Sequence, residues 1–138
     1  LLADWKTLNL RASLNVYQSR VDALPGPNNR LDGQQPWSST LGADYRLSGV
    51  PVTMGGTLAF TPGYTTQQTL SQWQDQSRSR SLDLYAQWVL SRSVTARLAL
   101  GNVQPVASGS RVFVGDSSSV ETLRTGRTNL NLGVEIKL

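Results

Sequence analysis

Thr-Asn-Leu-Asn-Leu-Gly-Val-Glu-Ile-Lys-Leu, residues 128–138, alternates between polar and apolar side chains up to the final residue. Every even-numbered position from 130 onward is apolar, and the odd-numbered positions are polar or glycine. Because successive side chains along a β-strand point to opposite faces, this pattern predicts a strand with one wholly apolar face. Such a face needs a cover, which is either a protein core or lipid.

Composition narrows the function classes. The 138 residues carry a formal net charge of +4, but the thirteen basic residues are mostly isolated arginines rather than a basic stripe, so we expect no nucleic-acid partner. The chain has no cysteine and no histidine, which removes thiol chemistry, the commonest general base and the commonest metal ligands. We therefore predict that it is not an enzyme, and that it has no cofactor and no metal site.

The same alternation recurs in five earlier segments. Together with the last one, the predicted strands cover residues 8–20, 37–47, 52–61, 80–90, 94–103 and 127–138. The connections between them alternate in length, with short turns at 48–51 and 91–93. The long connections are polar and rich in turn-forming residues, and two of them span residues 64–79 and 102–126.

Two folds fit this pattern, a soluble sandwich or barrel and an outer-membrane barrel. Strands of about ten residues, alternating loop lengths, and apolar faces made of Leu, Val and Ala favour the membrane barrel. Four aromatic residues near strand ends fit an interfacial girdle: Trp37, Tyr45, Phe60 and Trp88. Core aromatics explain those four about as well. We predict an all-β, antiparallel transmembrane β-barrel.

In that fold the polar strand faces line the lumen. The predicted lumen-facing residues are Arg11, Asp44, Arg46, Asp83, Arg97, Glu135 and Lys137. The two aspartates are expected to form salt bridges with Arg46 or Arg97. Six strands are too few to close a membrane barrel, whose minimum is about eight. We therefore expect residues 1–138 to be the C-terminal segment of a larger barrel domain, with the short turns and the C-terminus in the periplasm.

Three stretches carry a resemblance to a known family. Residues 19–37 read Ser-Arg-Val-Asp-Ala-Leu-Pro-Gly-Pro-Asn-Asn-Arg-Leu-Asp-Gly-Gln-Gln-Pro-Trp, residues 41–46 read Leu-Gly-Ala-Asp-Tyr-Arg, and residues 58–64 read Leu-Ala-Phe-Thr-Pro-Gly-Tyr. With the overall texture of the chain, they resemble the C-terminal barrel of TonB-dependent outer-membrane receptors. The resemblance implies a 22-stranded barrel in the cell outer membrane, of which these are the last six strands.

The resemblance also implies a function and partners. Members of the family use TonB-supplied energy to import a metal chelate such as a ferric siderophore, or cobalamin or another nutrient. The implied partners are outer-membrane lipid and lipopolysaccharide, the rest of the barrel and its plug domain, the barrel-assembly machinery, and the TonB complex through an N-terminal part that has no counterpart here. Val134, Ile136 and Leu138 resemble the barrel-assembly signal, although the family normally ends in an aromatic residue where this chain has Leu138.

Ligand contacts are expected in the long loops. The candidate ligand-binding residues are Trp73, Arg78, Arg80, Arg111 and Phe113, since arginine suits anionic chelates or lipopolysaccharide phosphates. Solvated loop residues without a role are the competing interpretation. Two other functions fit the sequence: a porin-like or structural outer-membrane barrel, and a soluble β-barrel or sandwich that binds a small ligand.

Overall fold

The computed structural model describes residues 2–5, 7–24, 26–115 and 118–137, and this part of the chain forms eleven β-strands. Their bounds are β1 Leu2–Trp5, β2 Leu8–Val16, β3 Trp37–Arg46, β4 Val52–Thr61, β5 Tyr64–Thr69, β6 Gln72–Gln76, β7 Ser79–Val89, β8 Val94–Gly101, β9 Ser108–Val114, β10 Ser118–Arg124 and β11 Asn129–Ile136. All the pairings are antiparallel. The prediction of an all-β, antiparallel fold is confirmed.

The strands form two sheets. Seven of them lie in the order β1-β2-β3-β4-β7-β8-β11, which we call the wall sheet. The other four lie in the order β10-β9-β6-β5, which we call the hairpin sheet. The wall sheet is open, with β1 at one edge and β11 at the other, and in the described residues these two strands do not pair.

Pairing register aligns the apolar residues of neighbouring wall strands. One cross-strand row consists of Leu10, Ala43, Gly56, Leu84, Leu100 and Leu130, and the next row of Leu8, Tyr45, Met54, Ala86, Leu98 and Leu132. The rows give the wall sheet one continuous apolar face. No described apolar residue is buried, and Leu132 is 78% exposed. In the described part of the chain, no second layer of protein packs on this apolar face to form a hydrophobic core.

The six predicted strands correspond to β2, β3, β4, β7, β8 and β11, with shorter bounds at several ends. β2 stops at Val16 instead of continuing to residue 20, because a polar connection begins there. β8 stops at Gly101 instead of residue 103, because Asn102 has a left-handed backbone with φ of 52°. The wall sheet also contains β1, a four-residue strand that the sequence pattern did not predict.

The prediction that residues 64–79 and 102–126 form long loops is wrong. They contain β5 and β6, and β9 and β10, which pair with one another across the two hairpins. Their sequences lack the apolar alternation because neither face of this sheet is apolar. Thr, Val, Tyr, Phe and Trp still favour extended backbone in these segments.

Helices are absent from the described residues. Accordingly, that part of the chain contains no helix long and apolar enough to cross a membrane.

Gly55 in β4 allows two side chains to meet above it. A Cβ atom at this position would lie 2.6 Å from the carbonyl oxygen of Ala43 and 2.7 Å from Cε1 of Tyr85, and it would overlap Oδ1 of Asp44. Tyr85 crosses the space that the missing side chain leaves, and its hydroxyl donates a hydrogen bond to Oδ1 of Asp44 at 2.5 Å. The glycine thus lets β7 reach β3 across the intervening strand.

We predict that Gly55→Ala lowers the free energy of unfolding by about 1–3 kcal/mol, the usual cost of overpacking, because a backbone oxygen must shift to make room. Gly133→Ala is the matched control: it is also on a wall strand, but nothing lies within 4 Å of its Cβ position. There we expect a change of about 0.4–1 kcal/mol in the stabilising direction. Denaturant unfolding measures both. Equal effects of the two variants would contradict this account of Gly55.

Candidate functional site

The hairpin sheet extends from one end of the wall sheet. β5 and β6 form the connection between β4 and β7, and β9 and β10 form the connection between β8 and β11. The amide of Gly115, whose φ is 62°, donates to the carbonyl of Ser71 at 2.8 Å, so the tips of the two hairpins are tied together. The opposite end of the wall sheet has the short connections 47–51 and 90–93.

One face of the hairpin sheet gathers aromatic and charged side chains in two adjacent rows. Trp73 pairs with Phe113 in the first row. In the second row Asp75 pairs with Arg111, and Arg111 pairs with Glu121 on its other side. Residues two apart on a strand share a face, so these five side chains lie on the same side. We call them the platform face.

Charge on the platform face is paired. Nη2 of Arg111 lies 2.8 Å from Oε2 of Glu121, and the hydrogen bond to Glu121 raises the pKa of the arginine above its ordinary value, with the charges of Glu121 and Asp75 adding to the effect. Asp75 accepts a hydrogen bond of 2.6 Å from the hydroxyl of Thr65. The Arg111 guanidinium also lies 5.8 Å from the centre of the Phe113 ring. Arg111 is therefore held by a carboxylate and an aromatic ring rather than free.

Three of the five predicted ligand-binding residues, Trp73, Arg111 and Phe113, are brought together here. Arg78 is exposed in the link between β6 and β7. Arg80 is not a loop residue: it lies in β7 opposite Phe60, which puts it in register with the apolar face of the wall, and it donates to Oε1 of Gln104 at 3.3 Å. The two arginines therefore do not join the platform face.

Asp75, Glu121 and Thr65 were not predicted as site residues. Their strands show no apolar alternation, so no periodic pattern places them on one face with Trp73 and Phe113. The available signal was the run of strand-favouring residues at 108–114, which includes Val112, Phe113 and Val114.

The connection between β2 and β3 covers the free edge of β5. The amide of Gln67 donates to the carbonyl of Asn28 at 2.9 Å, and the Nε2 atom of Gln68 donates to both carboxylate oxygens of Asp32 at 3.0 Å. Thr66 and Gln67 are the buried residues of the described chain, at 0% and 6% exposure. The polar end of the molecule is thus better buried than its apolar face.

Tyr64 adds to the same contact. Its hydroxyl donates to the carbonyl of Gly33 at 2.9 Å. Burial, and secondly the charge of Asp32, raise the pKa of this phenol, which keeps it protonated and able to donate. The first long connection is therefore fixed to the hairpin sheet by side-chain and backbone hydrogen bonds.

The polar face of the wall sheet carries a second cluster. Nη2 of Arg11 lies 2.6 Å from Oδ2 of Asp44, whose other oxygen accepts the Tyr85 hydrogen bond, and the Arg97 guanidinium lies 5.4 Å from the centre of the Tyr85 ring. The expected pairing of Asp44 with Arg46 or Arg97 is wrong. Arg11 lies opposite Gly42, diagonally across from Asp44. Its side chain passes over the glycine, where Nε lies 3.4 Å from the position a Cβ atom would take, and so reaches the carboxylate.

Asp83 also lacks the expected arginine partner. It accepts a 2.7 Å hydrogen bond from the amide of Asn102, and Ser81 donates to its carboxylate at 3.2 Å. Asn102 has a left-handed backbone conformation, and its amide is the partner of Asp83 where an arginine was expected.

The other predicted lumen and assembly residues follow the strand pattern. Arg46, Arg97 and Glu135 share the polar face of the wall sheet with Asp44. Lys137 follows β11, and its amide donates to the carbonyl of Ser93. Val134 and Ile136 are exposed in β11 on the apolar face, and Leu138 lies outside the described residues.

The titratable side chains were also compared with the arrangement that a metal ion needs, over the part of the chain that the structure describes. There, no group of three or more His, Cys, Asp or Glu residues is placed to hold a metal ion. What both clusters offer is hydrogen bonding and ion pairing.

Comparisons with known proteins give no assignment. No protein-family model, no curated protein and no solved structure matches this chain.

We predict that Asp32→Ala loosens the first long connection from β5. The carboxylate accepts hydrogen bonds from the side chains of Gln68 and Thr66, and its loss removes these links between β5 and the first long connection, while Gln68 keeps its bond to Gln74. At about 1 kcal/mol per hydrogen bond, amide exchange at Gln67 should accelerate by about fivefold or more. Asp22→Ala is the control, since Asp22 forms only an exposed pair with Arg20. Equal exchange rates in both variants would show that Asp32 does not hold the connection.

Proposed function

We propose that this chain is a segment of the wall of an outer-membrane β-barrel that belongs to a nutrient-import receptor of the TonB-dependent kind. In this proposal the apolar face of the wall sheet contacts lipid, and the polar face lines the lumen. The hairpin sheet stands outside the cell, and the short turns lie in the periplasm. The chain contributes to binding and passage of a nutrient such as a metal chelate and performs no catalysis.

The observation that carries the proposal is the uncovered apolar face. It crosses β2, β3, β4, β7, β8 and β11 in register, and no apolar residue in the described ranges is buried. A monomer in water rarely exposes a contiguous apolar surface of this extent. Lipid covers such a face without requiring a second layer of protein.

The distribution of aromatic residues supports the same orientation. Trp37 and Phe60 lie at the hairpin end of the apolar face with ring centres 5.4 Å apart, whereas Tyr45 and Trp88 lie toward the short turns. Eight residues separate Trp37 from Tyr45 on β3, which is about 27 Å along a strand, or about 21 Å across a bilayer at a tilt of about 40°. An outer-membrane apolar band is about 25 Å tall.

The import role rests on two further features. The sequence resembles TonB-dependent receptors in residues 19–37, 41–46 and 58–64, and the platform face collects recognition side chains at the end of the sheet proposed to be extracellular. A structural barrel has no need for such a face. The remaining strands, the plug and the TonB-contacting part are proposed to come from outside this segment.

Tryptophan quenching tests the membrane placement. In vesicles of phospholipid brominated on its acyl chains, we expect strong quenching of a variant that retains only Trp88, because Trp88 is half-exposed on the apolar face. A variant that retains only Trp73 is the matched control and should keep its fluorescence, since the platform face is proposed to be in water. Equal quenching of both, or protection of Trp88, would contradict the proposed orientation.

A charge placed on each face gives an independent test. Leu132→Arg, in the middle of β11, should destabilise the lipid-inserted protein by about 2–4 kcal/mol, because the guanidinium must enter the apolar band. Its neighbour Asn131 points to the other face, and Asn131→Arg should change stability by less than about 0.5 kcal/mol. Urea unfolding of the protein in vesicles measures the difference. A smaller penalty at 132 than at 131 would reverse the assigned faces.

A further inference from the structure

Charge balance on the platform face limits which ligands it can attract. Asp75 and Glu121 carry two negative charges and Arg111 one positive charge, which gives a net charge of −1. The arginine is already bound to Glu121 at 2.8 Å. An anionic chelate would therefore meet two carboxylates and no free guanidinium, and like charges at this range repel it.

Hydrogen-bonding capacity on the same row is mixed. The carboxylates of Asp75 and Glu121 only accept, the Arg111 guanidinium only donates, and the Thr65 hydroxyl does both. These four side chains occupy consecutive strands, which lie about 4.8 Å apart. A ligand with many hydroxyl groups, each both donor and acceptor, matches this sequence of partners without carrying charge.

The row beside it supplies flat apolar surface. Trp73 and Phe113 lie next to each other on β6 and β9, two residue pairs along the ladder from Asp75 and Arg111 and on the same face. The electron-rich face of an aromatic ring attracts polarised C–H groups such as those on one face of a sugar ring. A pocket of about 260 Å³ opens on the other side of the charged row, with Ser77, Gly109 and Leu123 in its lining.

We propose that the platform face binds a neutral oligosaccharide, with sugar rings against Trp73 and Phe113 and hydroxyl groups on Asp75, Arg111 and Glu121. The proposal deepens the proposed function, on which it rests for its role in import, by giving the nutrient a chemical class. Its binding chemistry does not depend on where the wall sheet lies.

Affinity electrophoresis tests it on the full chain refolded in detergent, in native gels containing soluble starch, dextran, laminarin or galactomannan. We expect retardation by at least one of them, and a threefold to tenfold weaker affinity for Trp73→Leu and for Phe113→Leu, which keep apolar bulk in the sheet. Val120→Ala, on the opposite face of the hairpin sheet, and Arg78→Ala are the matched controls and should bind as the parent does. Far-UV circular dichroism checks that each variant folds.

Glu121→Gln separates sugar binding from anion binding, because it releases Arg111 and brings the net charge of the face to zero. We expect weaker retardation by the polysaccharide and stronger binding of ferric tris-catecholate, the anionic probe. Three results would overturn the proposal: no retardation in any gel, retardation that both leucine variants retain, or parent-chain binding of the catecholate that Trp73→Leu abolishes. If the bromolipid experiment fails while sugar retardation persists, the membrane assignment falls and the saccharide site stands.

Discussion

Strand register is the constraint on which this structure depends. Side chains alternate along a strand, so a slip of one residue between any two wall strands would move the apolar side chains of one of them onto the polar face. The register aligns Leu10 of β2 with Leu130 of β11 through four intervening strands. The Asp44 carboxylate, held by Arg11 and by Tyr85 over Gly55, ties β2, β3 and β7 in that same register from the polar side.

The sequence predicted the wall sheet well because the wall has one apolar face. Alternation at Leu8, Leu10, Leu14 and Val16 is a signal that needs no knowledge of partners, and the same holds for the other five predicted strands. Strand ends were less predictable. β8 ends just before Asn102, whose backbone is left-handed, and no sequence pattern predicts that conformation. β1 has only four residues, which are too few to show an alternating pattern.

The hairpin sheet was hidden for the opposite reason. Segments such as Gln72–Gln76 contain a single apolar side chain, Trp73, among polar residues on both faces, so they show no periodicity and their pairing depends on partners elsewhere in the chain. For the candidate site, this meant that Trp73, Arg111 and Phe113 were identified by residue type, whereas Asp75 and Glu121 were not. Their addition changes the chemistry of the site from a cationic surface to a slightly acidic one.

The pairing of β6 with β9 has a mechanical consequence. It joins one connection to another through five residue pairs, and the backbone bond at the tips adds to them. Separate movement of either hairpin requires the hydrogen bonds between β6 and β9 to break. The first long connection also bonds to β5, through the carbonyl of Asn28. The β2–β3 connection, the β5–β6 hairpin and the β9–β10 hairpin are therefore coupled to one another. Local opening at this end of the molecule is therefore expected to be cooperative: the three segments open together, or one of the two contacts between them breaks first.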